Sequence, residues 1–329
     1  MRAIVLKDGK TALETGYAEP SPPAGEVLIR PTRMGVCATD LELAQGYMGF
    51  AGVLGHEFVG VVEQVGKGVD KAWLKQRVVG EINCVCGACD LCRAGLKEHC
   101  RKRTVLGIAG RDGCFAERFV LPVSNLHALP ENVDDDRAVF VEPLAAAYQI
   151  LRQLTIQGRP YITVLGDGRL GLLCAQVLAK LNATVRCIGK HENKLALCEK
   201  WGVKHRLLAD VGLRQDQDIV VDCTGSADGL TAAMAMVRPR GTIVLKTTTA
   251  PPNTAKGAAA PPLDLSPIVI HEINVVGSRC GPFGAAIEGL SSDAIDVVSL
   301  ISRRMKLDDG AAVLDAARKP GVLKVLLEV

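Results

Sequence analysis

Four cysteines carry the most specific chemistry in this sequence of 329 residues. Cys86-Gly-Ala-Cys89-Asp-Leu-Cys92 is followed, after a gap of seven residues, by Cys100. Gaps of two, two and seven let four thiolates converge on one tetrahedral zinc ion, and four protein ligands leave no position open for a substrate. These cysteines therefore predict a folded lobe over about residues 84–102, and the reactive chemistry must lie elsewhere. A second group is Cys37-Ala-Thr39-Asp40, Gly55-His56-Glu57 and Glu142-Pro143. It offers one thiolate, one imidazole and two carboxylates from separate segments, the donor types of an open zinc site. Taken singly, each has a plainer role: Cys37 as a small core residue, His56 as a satisfied buried histidine, Glu142 as a carboxylate at a helix start.

A third group follows the strand-like Val164-Leu165. Gly166-Asp167-Gly168-Arg169-Leu170-Gly171 has the G-x-G-x-x-G spacing and opens a helical pattern. Between strand and helix, such glycines permit a tight turn and close phosphate approach, while the helix start supplies amides for a pyrophosphate. The end of the next strand reads Ile188-Gly189-Lys190-His191. A carboxylate there would bind a ribose 2′-hydroxyl and repel a 2′-phosphate. Gly189 stands in its place, and Lys190 with His191 would neutralise a phosphate, which predicts NADP rather than NAD; the plainer alternative is an ordinary turn with a solvated lysine. Thr224, just after Asp218-Ile-Val-Val-Asp222, completes the expected cofactor-binding set.

These groups need a framework, and the length suggests about two domains. Hydrophobic residues make up 48% and charged residues 23%, enough to bury large cores and to exclude disorder. The most apolar stretch, residues 161–181, is interrupted by Asp167, Arg169 and Lys180, so a membrane span is not supported. Thirty-nine Lys and Arg against 36 Asp and Glu give a net charge of +3, too mild for a nucleic-acid footprint. Twelve scattered cysteines, and a start at Met1 that reads as a strand, predict a reduced, cytoplasmic protein.

Residues 1 to about 130 show short β-type runs such as Glu26-Val-Leu-Ile-Arg30 and Glu57-Phe-Val-Gly-Val-Val62, separated by glycine and proline. At Glu142-Pro143 the rhythm turns helical. Strand and helix then alternate: strands over 160–165, 183–188, 218–222, 241–245 and 274–277, with helices over 170–181, 192–201 and 230–237. That is the pattern of a parallel sheet covered on both faces, an α/β fold. Residues 247–262, rich in Ala, Pro and Gly, predict a loop. The tail from about Ser278 has no core-sized pattern of its own and is expected to return to the first domain.

Taken together and in this order, the motifs G-V-C-A-T-D at Gly35 to Asp40, G-H-E-F-V-G at Gly55 to Gly60, the cysteine lobe, D-G-C-F-A-E at Asp112 to Glu117 and G-D-G-R-L-G resemble the zinc-dependent medium-chain alcohol dehydrogenase family. The resemblance covers essentially the whole chain, and its nearest likeness is the glucose dehydrogenase-like branch. It implies a β-rich GroES-like catalytic domain over 1–142, a Rossmann domain over 143–277 and a C-terminal segment, 278–329, that rejoins the catalytic domain. It implies that Cys37 and His56 bind a catalytic zinc, with Glu57 or Glu142 as third ligand and water or substrate as fourth. Thr39 matches the hydroxyl that starts a proton relay, and Asp40 matches a residue that orients the ligating histidine. Glu42 stands where classical members often carry a relay histidine. Glu117 matches a substrate-binding glutamate of some glucose dehydrogenases.

The implied activity is hydride transfer between a polyol, aldose or other secondary alcohol and NADP, by a homo-oligomer, dimer or tetramer, with no nucleic-acid or membrane partner. Two readings from other classes compete. One is a nucleotide-binding regulatory protein of the same fold without turnover, against which the intact Cys37, Thr39, His56 and Glu142 speak. The other is a zinc ribbon that binds nucleic acid through Arg93, Lys97, Arg101, Lys102 and Arg103; a basic rim around a metal lobe is more often solvated surface.

Overall fold

The computed structural model describes residues 1–248 and 263–329, so most of the loop expected at 247–262 lies outside the described residues. The chain forms two compact units, one made of Met1–Glu142 with Phe283–Val329 and the other of Pro143–Pro282.

In the first unit, the strands Glu26–Gly35 and Glu57–Val65 pair antiparallel in the middle of a seven-stranded sheet. Their apolar runs explain this: Val27, Leu28, Ile29, Phe58, Val59 and Val62 are all buried. Pro31 has no N–H to give the ladder, and the register shifts between Pro31 and Arg33. Phe58 packs edge-to-face on Phe119, with ring centroids 4.7 Å apart. The strand Lys324–Glu328 joins the same sheet, antiparallel to Met34 and Gly35 and parallel to Ile301–Lys306. The last residues are thereby laid beside the segment that leads to Cys37.

The second unit is built on six parallel strands. In chain order these are Tyr161–Leu165, Thr184–Gly189, Lys204–Leu207, Gln217–Asp222, Val237–Leu245 and Asn274–Gly277. In space they lie in the order three, two, one, four, five, six, the dinucleotide-binding arrangement, which reverses direction beside the first strand. Ile162, Val164, Leu165, Val220, Val221, Ile243 and Val244 are buried, as strands covered on both faces require. The helix Arg169–Ala179 buries every residue from Gly171 to Leu178. The helix Ala227–Met236 is capped by Ser226, whose Oγ accepts the Gly229 N–H at 3.1 Å.

One local expectation is corrected, and one strand is added to those expected. The helix expected over 192–201 is two short ones, Glu192–Leu195 and Leu197–Lys200. The edge strand Lys204–Leu207 is absent from the sequence expectation, because Lys-His-Arg-Leu lacks an apolar run; pairing with Thr184–Gly189 forms it. Among the described residues, no helix is long and apolar enough to cross a membrane.

Candidate active site, metal lobe and nucleotide turn

Cys37 follows the strand Glu26–Gly35 and caps the helix Ala38–Leu43. Asp40, fully buried, is the organising carboxylate: Oδ2 accepts the Cys37 N–H at 2.8 Å, and Oδ1 accepts the Gly55 N–H at 3.3 Å. The same Oδ1 lies 3.3 Å from His56 Nδ1, which leaves the other ring nitrogen for a ligand. Gly55 makes the turn before His56 at φ +94°, where a Cβ would strike the buried Phe115 ring at 2.2 Å. Phe115 belongs to the D-G-C-F-A-E segment, whose Gly113, Cys114 and Phe115 amides bond to the carbonyls of Val53, Gly55 and Leu54. That segment is the wall that shapes the His56 loop.

Ligand atoms of Cys37, His56 and Glu57 all lie within 4.8 Å of one another. Glu142 is outside this group, half-buried in the first turn of the helix Val141–Gln153. Thr39 Oγ1 is 3.8 Å from Cys37 Sγ. Burial works against a charged His56, but the charges of Asp40 and Cys37 outweigh it and hold the imidazole well above its ordinary value. Glu42 is raised above the usual carboxylate range, first by burial and then by the charge of Cys37. A set made of a half-buried thiol and a buried imidazole and carboxylate, with this anionic pull, fits a zinc ion.

One residue of the site escaped the sequence reading. Lys324, fully buried, forms an ion pair with the buried Glu57 and sits 5.3 Å from the Phe140 ring centroid. Burial lowers its amine to about 8 against the opposing pull of Cys37 and Asp40. The signal was available: a lone lysine inside Val322-Leu-Lys324-Val-Leu-Leu327 interrupts a run that otherwise reads as core. Glu117 lies apart from this cluster. Its carboxylate receives the Arg2 backbone N–H at 2.7 Å and the Arg2 guanidinium at 2.7 and 3.0 Å, and Arg2 also binds Asp308.

The second metal candidate is the lobe Cys86, Cys89, Cys92 and Cys100. Its sulfurs are separated by 3.5 Å (Cys89–Cys92 and Cys86–Cys100) and 3.9 Å (Cys89–Cys100). A tetrahedron with zinc–sulfur bonds of about 2.3 Å has edges of about 3.8 Å, so the donors fit that ion and are too far apart for disulfides. The Arg101 and Cys92 backbone N–H groups bring the Cys89 thiol down to about 6, which favours a thiolate.

In the second unit, the first glycine turn has Gly166 at φ +109°, and a Cβ on Gly171 would lie 1.9 Å from the Gly166 carbonyl oxygen. Gly168 is the N-cap of the helix Arg169–Ala179, and a Cβ placed on it would meet nothing within 4 Å, so there is open space beside this helix start. Leu170 and Arg169 are half-buried in the first helical turn. Lys190 and His191 are exposed at the end of the strand Thr184–Gly189. Thr224 is held by Asp222, whose Oδ1 accepts its N–H at 2.8 Å and its hydroxyl at 2.7 Å.

The chain is similar to known proteins over nearly its whole length. Residues 23–131 match the family model of the alcohol dehydrogenase GroES-like domain, and residues 170–299 match that of zinc-binding dehydrogenases. An L-threonine 3-dehydrogenase from Streptomyces coelicolor is 31% identical over 100% of this chain and 99% of its own length. A 2-dehydro-3-deoxy-L-galactonate 5-dehydrogenase from Pseudoalteromonas atlantica is 29% identical over 94% of this chain and 93% of its own. Among solved structures, a zinc-binding dehydrogenase from Sinorhizobium meliloti 1021 bound to NADP superposes with a TM-score of 0.86 at 28% identity, covering 100% of this chain and 99% of that one. An alcohol dehydrogenase from Escherichia coli CFT073 complexed with NADH gives 0.88 at 26% identity, with the same coverage.

Proposed function

This chain belongs to the zinc-dependent medium-chain alcohol dehydrogenase family, and from that premise we propose that it oxidises a polyol, aldose or related secondary alcohol with NADP. The coarser statement stands without the proposal: it is a zinc-dependent oxidoreductase that acts on alcohols with a nicotinamide cofactor. The observation that carries the reading is the convergence of Cys37, His56 and Glu57 to within 4.8 Å of one another, with Asp40 orienting the histidine.

In this reading Cys37, His56 and Glu57 hold the catalytic zinc, with Glu142 the alternative carboxylate, and Cys86, Cys89, Cys92 and Cys100 hold a structural one. Bound there, zinc supplies Lewis acidity to an alcohol oxygen, and the nicotinamide takes up the hydride. Thr39 relays the proton that the alcohol gives up, its hydroxyl accepting that proton as it passes its own outward to solvent, and its place beside Cys37 supports that role. Lys324 is the counter-charge paired with Glu57 in the buried site. Gly166 to Gly171 and Thr224 line the pyrophosphate side of the nucleotide, and Gly189, Lys190 and His191 face its 2′-phosphate. Residues 1–142 and 278–329 form the catalytic domain and 143–277 the nucleotide domain. A polyhydroxylated substrate is supported by the galactonate-derivative relative.

We also propose a cytoplasmic homo-oligomer, dimer or tetramer. None of the twelve cysteines is joined in a disulfide, which suits a reducing compartment. Val275, within the edge strand Asn274–Gly277, and Val269 and Ile270, at the end of the helix Ser266–Ile270 that precedes it, are 40%, 79% and 71% exposed, an apolar edge that suits pairing with a second copy.

The decisive assay follows nicotinamide reduction by the zinc-loaded protein with NADP and with NAD across sugars, polyols and simple alcohols. Turnover with NADP that disappears in Cys37→Ala is the expected result. Better turnover with NAD would remove the NADP assignment alone. Tight nucleotide binding with no turnover on any alcohol would favour the regulatory reading.

A further inference from the structure

Gly189 leaves the end of its strand without an acidic side chain, yet a carboxylate occupies that space. A Cβ built on Gly189 would lie 2.4 Å from Cβ, Cγ and Oδ2 of Asp167, which is itself buried. Asp167 belongs to the first glycine turn and reaches across to the next strand. Its Oδ2 accepts the N–H of Lys190 at 2.7 Å and of His191 at 2.6 Å, and His191 Nδ1 lies 3.0 and 3.1 Å from its two oxygens.

A carboxylate that reads ribose hydroxyls must offer them open lone pairs. Oδ2 has already taken two short backbone bonds, and the remaining oxygen faces the imidazole of His191. The negative charge is turned into the Gly189–His191 turn, against the His191 ring, and the Lys190 side chain stays on its outer, exposed side. Gly189 is the other half of the device, because any side chain there would displace Asp167.

We propose that Asp167 is the positioning residue of the nucleotide-selecting turn. By gripping both amides and one imidazole nitrogen, it fixes Lys190 and His191 in the arrangement that receives the 2′-phosphate, and it ties that turn to the pyrophosphate loop. The inference rests on the NADP reading above and adds to it the residue that makes the selection geometric rather than merely cationic.

The test measures dissociation constants of adenosine 2′,5′-bisphosphate and 5′-AMP by calorimetry, on full-length zinc-loaded wild type, Asp167→Ala and Asp167→Asn. In the wild type the bisphosphate should bind more tightly than 5′-AMP. Asp167→Ala should lose about tenfold in bisphosphate affinity while 5′-AMP changes by less than about threefold, with Asp167→Asn between, since its amide oxygen still accepts an N–H. Hydrogen exchange at the Lys190 and His191 amides should speed up in Asp167→Ala and slow again with saturating bisphosphate. Equal losses for both ligands would make Asp167 a structural residue only and overturn the proposal. A gain in bisphosphate affinity would overturn it in the opposite sense, with Asp167 acting as the acidic group that excludes phosphate. A wild type with no preference for the bisphosphate would sink the NADP reading by itself, and the direction of the Asp167→Ala change would still decide between these roles.

Discussion

The buried pair of Glu57 and Lys324 is the costliest arrangement of charges in the site, since two ions are taken out of water and each depends on the other. Removing one partner strands the other. In metal-stripped protein, Lys324→Met should cost roughly 3–5 kcal/mol of stability in urea denaturation, and the double variant Lys324→Met, Glu57→Gln should recover much of that loss. Independent, additive losses would show that the two charges do not support one another. At this scale the sequence was legible wherever spacing carried meaning: Cys37, His56 and Glu57 sit in recognisable local runs and meet in space. Lys324 has no neighbour in sequence that explains it, because its partner is 267 positions away and only the sheet brings them together. Asp167 was visible as a member of the glycine turn, but its hold on Lys190 and His191 depends on a crossing between two strands that no local pattern encodes.

The cysteine lobe is an element whose shape comes from its ligands more than from its core, since only Cys100 of the four is buried. Purified protein should contain about two zinc ions per chain by elemental analysis, and Cys89→Ser should contain about one, with the lobe alone becoming protease-sensitive. Retention of both ions in that variant would refute the four-sulfur site. The lobe is fastened to the sheet through Glu81, which contacts Lys97 Nζ at 2.7 Å and His127 Nε2 at 3.1 Å. Burial alone would raise the Glu81 carboxyl, but His127 and Lys97 outweigh it and hold it below its ordinary 4.5. A carboxyl lowered by folding binds fewer protons in the native than in the unfolded state. Its contribution is therefore complete above pH 4.5 and is lost as the pH falls below it. Stability measured from pH 3 to 7 should show a shallower acid limb in Glu81→Gln than in wild type, and identical limbs would refute the coupling. Elements with strong periodicity were legible in the sequence, whereas the edge strand Lys204–Leu207 was not, because a polar strand with a single neighbour has no apolar signature.

For the molecule as a whole, alternation of strand and helix was enough to anticipate the parallel sheet, while the strand order three, two, one, four, five, six came from the structure. The exposed edge at Val275 makes an assembly-level prediction: light scattering should report a dimer or larger for wild type and a smaller species for Val275→Lys, because a charge on a strand edge blocks pairing. A monomeric wild type would remove the oligomer proposal. The first unit is interrupted by the second: Met1–Glu142 and Phe283–Val329 share one fold, with 140 residues between them. On the ribosome, Cys37, His56 and Glu57 emerge early, and the lysine that balances Glu57 emerges only after the entire nucleotide unit has been made. Nascent chains stalled with residue 282 just outside the exit tunnel should therefore hold a protease-resistant nucleotide unit beside a first unit that is still digestible, and resistance of residues 1–142 should arrive only once the strand Lys324–Glu328 has emerged. The order of synthesis thus keeps the reactive cluster from closing until its surroundings exist.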